Sequence, residues 1–188
     1  IRGAGEILAE EVDDPALHRF TDNVIHESIR LSDLLDKLLA MARLEKLESL
    51  PAHKSAVSIS ALVQEWQHSR YALLAEKQLD ITVNEGTLQV EADTFRLALF
   101  NLLDNALRFA NENTTITVHV DVACLTVTNT GPVIPDYALG RITERFYSLP
   151  SPGQERSSGL GLAMVSEIAS LHGGSLNVEN THQGVQAR

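Results

Sequence analysis

Two asparagines four residues apart, Asn101 and Asn105 in the run FNLLDNALRF, are the side chains of this sequence best placed to do chemistry. On a helix the i,i+4 spacing puts both carboxamides on one face, one turn apart. Leu99, Leu102, Leu103, Ala106 and Leu107 supply the apolar side of the same helix. Asn is a poor helix former, so two at this spacing weaken a purely structural element. A carboxamide oxygen is a hard ligand without a negative charge, which suits a Mg²⁺ already bridged to several phosphate oxygens. Taken alone, the pair is equally compatible with two solvated or capping side chains.

Two glycine-bearing segments downstream bear on that choice. The β-branched run from Leu125 to Thr128 ends in Asn129-Thr130-Gly131-Pro132-Val133-Ile134-Pro135, which sets a polar side chain at a strand end where it can meet a ligand edge. Then Ser157-Ser158-Gly159-Leu160-Gly161-Leu162-Ala163 opens an apolar helix. Glycines there let a phosphate reach bare backbone N–H groups at a helix N-terminus, where the dipole also favours an anion. A GLGL run alone can be a turn. The order of asparagine helix, NTGP turn and SSGLGLA is far more specific.

The elements that must hold these residues follow from periodicity. The chain has 188 residues, enough for one to two domains, and its 44% hydrophobic content supports a core. With aromatics at only 5%, that core is aliphatic. The net charge of −10, with no extended Lys/Arg cluster, argues against nucleic acid or an anionic membrane as partner. The lone Cys124 excludes an internal disulfide and is expected to be inert core. No apolar run approaches the ~18 residues of a membrane span, and no signal peptide is visible.

Ile1 to Glu11 reads as a helix, Val12-Asp13-Asp14-Pro15 as its break, and Ala16 onward as a second helix with apolar Phe20, Val24, Leu31, Leu35, Leu38 and Ala42. Ile25, Leu34, Leu39 and Met41 widen the stripe beyond what two helices can cover, so two hairpins side by side, a dimeric four-helix bundle, are expected. The expected domains are a helical hairpin over 1–48, a polar linker over 49–56 and a second domain over 57–188. In the latter the pattern predicts strands at Val57–Ile59, Asp80–Val83, Leu88–Val90, Ser175–Glu179 and Val185–Ala187, and a hairpin of Thr115–Val120 with Cys124–Asn129. Helices are predicted at Ser60–Lys77, Thr94–Ala110 (capped by Asp93), Tyr137–Phe146 and Leu160–Leu171, with His172 a favourable cation at the last C-terminus. Strands and helices mix without strict βαβ alternation, which suggests a sheet with helices on one face.

FNLLDNALRF resembles the N box of sensor histidine kinases, NTGPVIP their G1 box, ERFY (Glu144 to Tyr147) their F box and SSGLGLA their G2 box; IRGAGEIL resembles the phosphoacceptor helix just after its His. The resemblance covers the whole chain, and RFTDN, DYALGRITERFYSLP and SSGLGLAMVSEIA resemble one branch of these kinases in particular. It implies an α+β chain, with an antiparallel helical hairpin as half of a dimeric four-helix bundle, followed by a GHKL (Bergerat) α/β sandwich. It implies ATP and Mg²⁺ as cofactors. Asn105 would contact the metal, Asn101 would act at the phosphate end as the catalytic residue, and Arg108 would meet phosphate oxygens. Asn129, Gly131, Ile134 and Tyr147 would line the nucleotide, and Ser158, Gly159, Leu160, Gly161 and Leu162 would cradle phosphate. Ser148 to Ser158 fits a mobile lid whose only cation is Arg156.

Three positions depart from the family pattern: Asn129 stands where the family carries the Asp that reads adenine, Val133 replaces the second Gly of G1, and Thr143 replaces the first Phe of the F box. His26-Glu27 resembles the start of an H box but lies on the wrong helix. The aligned phosphoacceptor His falls about nine residues before Ile1 on the same helix, so the chain is expected to be inactive for autophosphorylation alone. The implied partners are a second copy through the hairpin and a response-regulator receiver domain, with no nucleic acid, and with a membrane reached only through N-terminal segments that this chain lacks. The implied location is the cytoplasmic portion of an inner-membrane sensor. A dimeric scaffold with a degraded adenine pocket is the alternative. A gyrase- or Hsp90-type ATPase fits less well, because such enzymes carry a water-activating Glu at the place of Asn101.

Overall fold

A computed structural model of the chain describes residues 15–47, 54–149 and 157–188. The chain divides into two units, Ile1–Arg43 and Leu44–Arg188. Helix α1 runs Pro15–Glu45, most of it in the first unit, with Pro at the first helical position, where its missing N–H leaves no bond unmade. Phe20, Leu31, Leu35 and Leu39 stand exposed along it among the described residues. The expected first helix and its break at Val12–Asp14 lie outside the described residues, as do residues 49–53 of the expected linker.

The second unit begins with β1 (Ser55–Ser58), which pairs antiparallel with β3 (Thr87–Val90), Ser55 opposite Val90. Helices α2 (Ile59–Ser69) and α3 (Tyr71–Lys77) lie between these strands, followed by β2 (Asp80–Val83). Then come α4 (Ala92–Phe109), the hairpin β4 (Thr115–Asp121) and β5 (Cys124–Thr130), a single turn α5 (Asp136–Leu139), α6 (Gly161–Leu171), β6 (Val178–Asn180) and β7 (Gly184–Ala187). The main sheet has the order β2-β4-β5-β7-β6, antiparallel except for the parallel pair β2–β4.

Burial alternates along β4: Ile116, Val118 and Val120 are inside while their neighbours face solvent, the mark of a sheet covered on one side. The covering layer is α2, α4 and α6, with Ile59, Val63, Trp66, Leu99, Leu103, Met164 and Ile168 closing the core. This is the α/β sandwich that the residue pattern predicts.

Local differences have local reasons. The expected helix Ser60–Lys77 is two helices, because Arg70 leaves helical geometry (φ −117°, ψ 12°) and its N–H bonds the Trp66 and Gln67 carbonyls. Its guanidinium reaches Asp104 on α4, a tertiary contact invisible to periodicity. Glu91, rather than Asp93, caps α4: its carboxylate accepts from the N–H groups of Asp93 and Thr94. The expected helix Tyr137–Phe146 stops at Leu139, with Gly140 as its C-cap. Cys124 is only half-buried, and Arg188 Nε lies 3.0 Å from its sulfur, so it is not a core thiol.

Candidate functional site

The asparagine face of α4 meets the first residue of α6. Asn101 is 7% exposed; its Nδ2 donates to Leu97 O at 2.8 Å and lies 3.7 Å from Met164 Sδ. This seats it in the seam between α4 and α6, not in solvent. A Cβ on Gly161 would stand 3.1 Å from Asn101 Oδ1, which would have to give by a few tenths of an ångström, and in ordinary contact with Asn105 Nδ2 at 3.7 Å. Asn105 is half-buried, and its Nδ2 has no hydrogen-bond partner although it is shut off from water. An unmet buried donor costs about 1–3 kcal/mol, which marks a position that a ligand or water completes. Arg108, half-buried one turn on, has its guanidinium 5.6 Å from the Phe109 ring centre.

The rotation of α4 is fixed from outside by a residue the sequence reading passed over. Asp104 accepts from Trp66 Nε1 at 2.9 Å and from Arg70 Nε at 3.0 Å, with Arg70 Nη2 at 3.3 Å from its second oxygen. At the helix start the Glu91 carboxyl is held below the usual carboxylate range, first by the Thr94 hydroxyl and then by the backbone N–H groups of Thr94 and Asp93, against the opposing effect of burial. His172 closes that end. Its Nδ1 lies 2.8 Å from Ile168 O, and the Glu91 N–H donates to its Nε2 at 3.1 Å, so the ring bridges α6 to α4.

At the other end of α4 the chain passes over the turn after β5. The Asn111 N–H donates to Thr130 O at 2.9 Å, and the Gly131 N–H donates to Gln183 O at 2.9 Å. Gly131 lies so close to the end of α4 that a Cβ would stand 2.1 Å from Phe109 O. Asn129 is 7% exposed, and its Nδ2 also lacks a partner. Ile134 is clamped by Asn180, whose Oδ1 accepts the Ile134 N–H and whose Nδ2 donates to Ile134 O, both at 2.8 Å. That clamp carried no sequence signal, because Asn180 is far from the turn along the chain. Val133 is exposed.

The third segment folds back on the second glycine box. Phe146 sits at φ +62°, and its N–H donates to Gly159 O at 2.9 Å. Gly159 has φ +67°, and a Cβ there would meet the Phe146 carbonyl carbon at 2.5 Å, so the position needs glycine twice over. Tyr147 lies under the Arg141 guanidinium at 4.5 Å, and Arg141 pairs with Glu144. Ser158 Oγ accepts the Leu160 N–H at 3.4 Å. Leu160 has its side chain wholly in the core, so only its backbone faces a ligand; Leu162 is half-buried on the first turn of α6. Arg156 and the lid residues from Pro150 lie outside the described residues. The expected site residues that are described thus gather from α4, the β5 turn and the start of α6. Among the described residues no group of three or more His, Cys, Asp or Glu side chains could hold a metal ion.

The chain belongs to the histidine kinase-, DNA gyrase B- and HSP90-like ATPase family, whose model matches residues 90–188. Within that family its relatives are sensor histidine kinases. Sensor protein CreC of Escherichia coli K12 is 43% identical over 98% of this chain and 40% of that protein. Sensor protein QseC of the same organism is 33% identical over 95% of this chain and 40% of that protein. The chain therefore spans about 40% of the length of these relatives. Full-length ShkA, solved in complex with AMPPNP, superposes on the whole chain with a TM-score of 0.73 at 22% identity, covering 41% of that chain. The catalytic domain of histidine kinase ThkA covers 72% of this chain and 92% of its own, with a TM-score of 0.60 at 25% identity. No described helix is long and apolar enough to cross a membrane.

Proposed function

We propose that this chain is the kinase core of a two-component sensor histidine kinase, binding Mg-ATP and donating the γ-phosphoryl group to a histidine for relay to a response-regulator aspartate. In this reading residues 1–48 form the dimerisation hairpin, 49–56 a linker and 57–188 the catalytic domain, facing the cytoplasm in an inner-membrane sensor. The single observation that carries the proposal is the Gly161 start of α6 set against Asn101 and Asn105, so close that a Cβ on Gly161 would stand 3.1 Å from the buried Asn101 carboxamide oxygen.

Phosphoryl transfer needs charge neutralisation and alignment more than covalent help. The Gly161 and Leu162 N–H groups, at a helix start whose N-cap Leu160 offers no side-chain acceptor, would meet phosphate, and Arg108 would supply a cation at the end of α4. Asn101, immobilised by Leu97 O, keeps the face rigid at the phosphate end. Asn105 has a carboxamide oxygen of the kind that ligates Mg²⁺, which would neutralise phosphate charge there, and its unpartnered Nδ2 suits a phosphate-oxygen acceptor. Asn129, Gly131, Ile134 and Tyr147 would border the base. The exposed apolar row on α1 supports pairing with a second copy, and a receiver domain is the second partner.

Titration of the chain with a non-hydrolysable ATP analogue, with Mg²⁺ and with EDTA, tests the reading. Asn105→Ala is expected to lose Mg²⁺-dependent binding more than Mg²⁺-independent binding. Equal losses would make Asn105 structural; no binding by the wild-type chain would refute the nucleotide site. That last result favours the second reading, a dimeric scaffold without nucleotide, for which the buried, neutral and unmet Asn129 carboxamide is the supporting observation.

A further inference from the structure

A helix leaves its last carbonyls without intrahelical partners, and those of α4 lie at the end that carries Asn105 and Arg108. Ala106 O takes the Ala110 N–H at 2.8 Å. The next ones converge on one side chain: Lys77 Nζ, at the end of α3, donates to Leu107 O at 2.9 Å, Arg108 O at 3.0 Å and Ala110 O at 3.3 Å. The backbone of the same residue closes the grip, since Lys77 O accepts the Asn113 N–H at 3.0 Å. An ammonium group has three donors and no acceptor, so these three carbonyls use its full capacity.

We infer that Lys77 is a positioning residue of the nucleotide site, acting through the last turn of α4 and touching no ligand itself. The turn it holds follows Asn105 directly and contains Arg108. Two links couple this turn to the base side of the site: Phe109 O abuts Gly131, and the Asn111 N–H bonds Thr130 O. Lys77 also sets a positive charge on the negative end of the α4 dipole, where three bare carbonyl oxygens would otherwise oppose a polyphosphate. The inference rests on the nucleotide-site reading above and adds a residue that none of the four motif boxes contains.

The test uses the 188-residue chain, Lys77→Met and Lys77→Arg, with a non-hydrolysable ATP analogue as the probe. Calorimetry in Mg²⁺ is expected to show a roughly tenfold weaker Kd for Lys77→Met, with a smaller change in EDTA, and recovery to within about threefold for Lys77→Arg. Hydrogen exchange at the Asn111 and Asn113 amides, read without nucleotide, should accelerate in Lys77→Met and not in Lys77→Arg. An unchanged Kd, an equal loss in Mg²⁺ and EDTA, no recovery by Lys77→Arg, or unchanged exchange would each overturn the role. So would a Lys77→Met chain that is unfolded by circular dichroism, because Lys77 would then serve the fold as a whole. A wild-type chain that binds no nucleotide removes the site, and Lys77's role with it; wild-type binding with an indifferent Lys77→Met removes only the inference.

Discussion

Replacing Gly131 by Ala tests the geometry that joins α4 to the turn after β5. The added Cβ would stand 2.1 Å from Phe109 O and 3.2 Å from Asn129 Nδ2. Even a favourable C–H···O contact needs roughly 3.3 Å, so about 1.2 Å must be opened between two backbone segments. Neither segment is free to give. The Asn111–Thr130 and Gly131–Gln183 hydrogen bonds, each 2.9 Å, hold the turn to α4 and to the β6–β7 connection. Overpacking against backbone belongs at the upper end of its usual range, about 3 kcal/mol. The chain-entropy benefit of Gly→Ala, about 0.4–1 kcal/mol, offsets only part of this. The net loss of about 2 kcal/mol should lower Tm by roughly 4–8 °C in a domain of this size. Positive φ plays no part, because among the described glycines only Gly159 and Gly173 have it. Gly140→Ala is the internal control: nothing lies within 4 Å of its Cβ position, and its backbone is helical (φ −73°). Urea and thermal unfolding followed by circular dichroism should therefore separate the two variants, with Gly140→Ala neutral or slightly stabilised. Gly131→Ala within about 0.5 kcal/mol of wild type would refute the steric argument.

Three further outcomes are expected. Glu91→Ala should cost about 1 kcal/mol at pH 7 by uncapping α4. The folded carboxyl is held below its unfolded value, so this contribution is present above about pH 4.3 and is lost as pH falls through the folded value; the gap between wild-type and variant urea midpoints should close in acid. Asn129→Asp should tighten binding of an ATP analogue about fivefold by calorimetry, through a charge-assisted hydrogen bond to the base, and a wild-type Kd already in the low micromolar range would count against a weakened pocket. Leu35→Asp combined with Leu38→Asp, both on exposed apolar positions of α1, should convert a dimer to monomers by light scattering with the second unit still folded; a monomeric wild type at micromolar concentrations would sink the dimer.

What could be read from the sequence was what local pattern determines. The alternation in Thr115–Asp121 and Cys124–Thr130 located the hairpin because side-chain period and burial are one signal there. The asparagine helix and the glycine start of α6 were legible from residue type alone. What stayed hidden depends on distant partners. Arg70 breaks a well-patterned helix while reaching Asp104, thirty-four residues away. Glu91 wins the cap from Asp93 because its longer side chain folds back over two N–H groups. His172 reads as a residue serving only its own helix end, because its link to the Glu91 N–H spans eighty-one residues of sequence. Lys77 and Asn180 each spend a whole side chain on backbone from another element, and backbone acceptors leave no trace in a sequence pattern.

The one parallel pairing of the main sheet, Asp80 to Val83 against Thr115 to Val118, encloses everything between these strands in a closed loop. That loop contains β3 and the whole of α4, and hence both asparagines and Arg108. Joining strands this far apart has a loop-closure cost that the adjacent β4–β5 hairpin largely escapes. The order of assembly follows: the hairpin can form early, whereas α4 takes its final place only as β2 closes onto β4. A chain caught refolding with only its hairpin formed therefore has sheet signal and no asparagine face. Ligand-detected recovery should lag behind recovery of the sheet, and the delay measures how long the enclosed helix waits for its far strand.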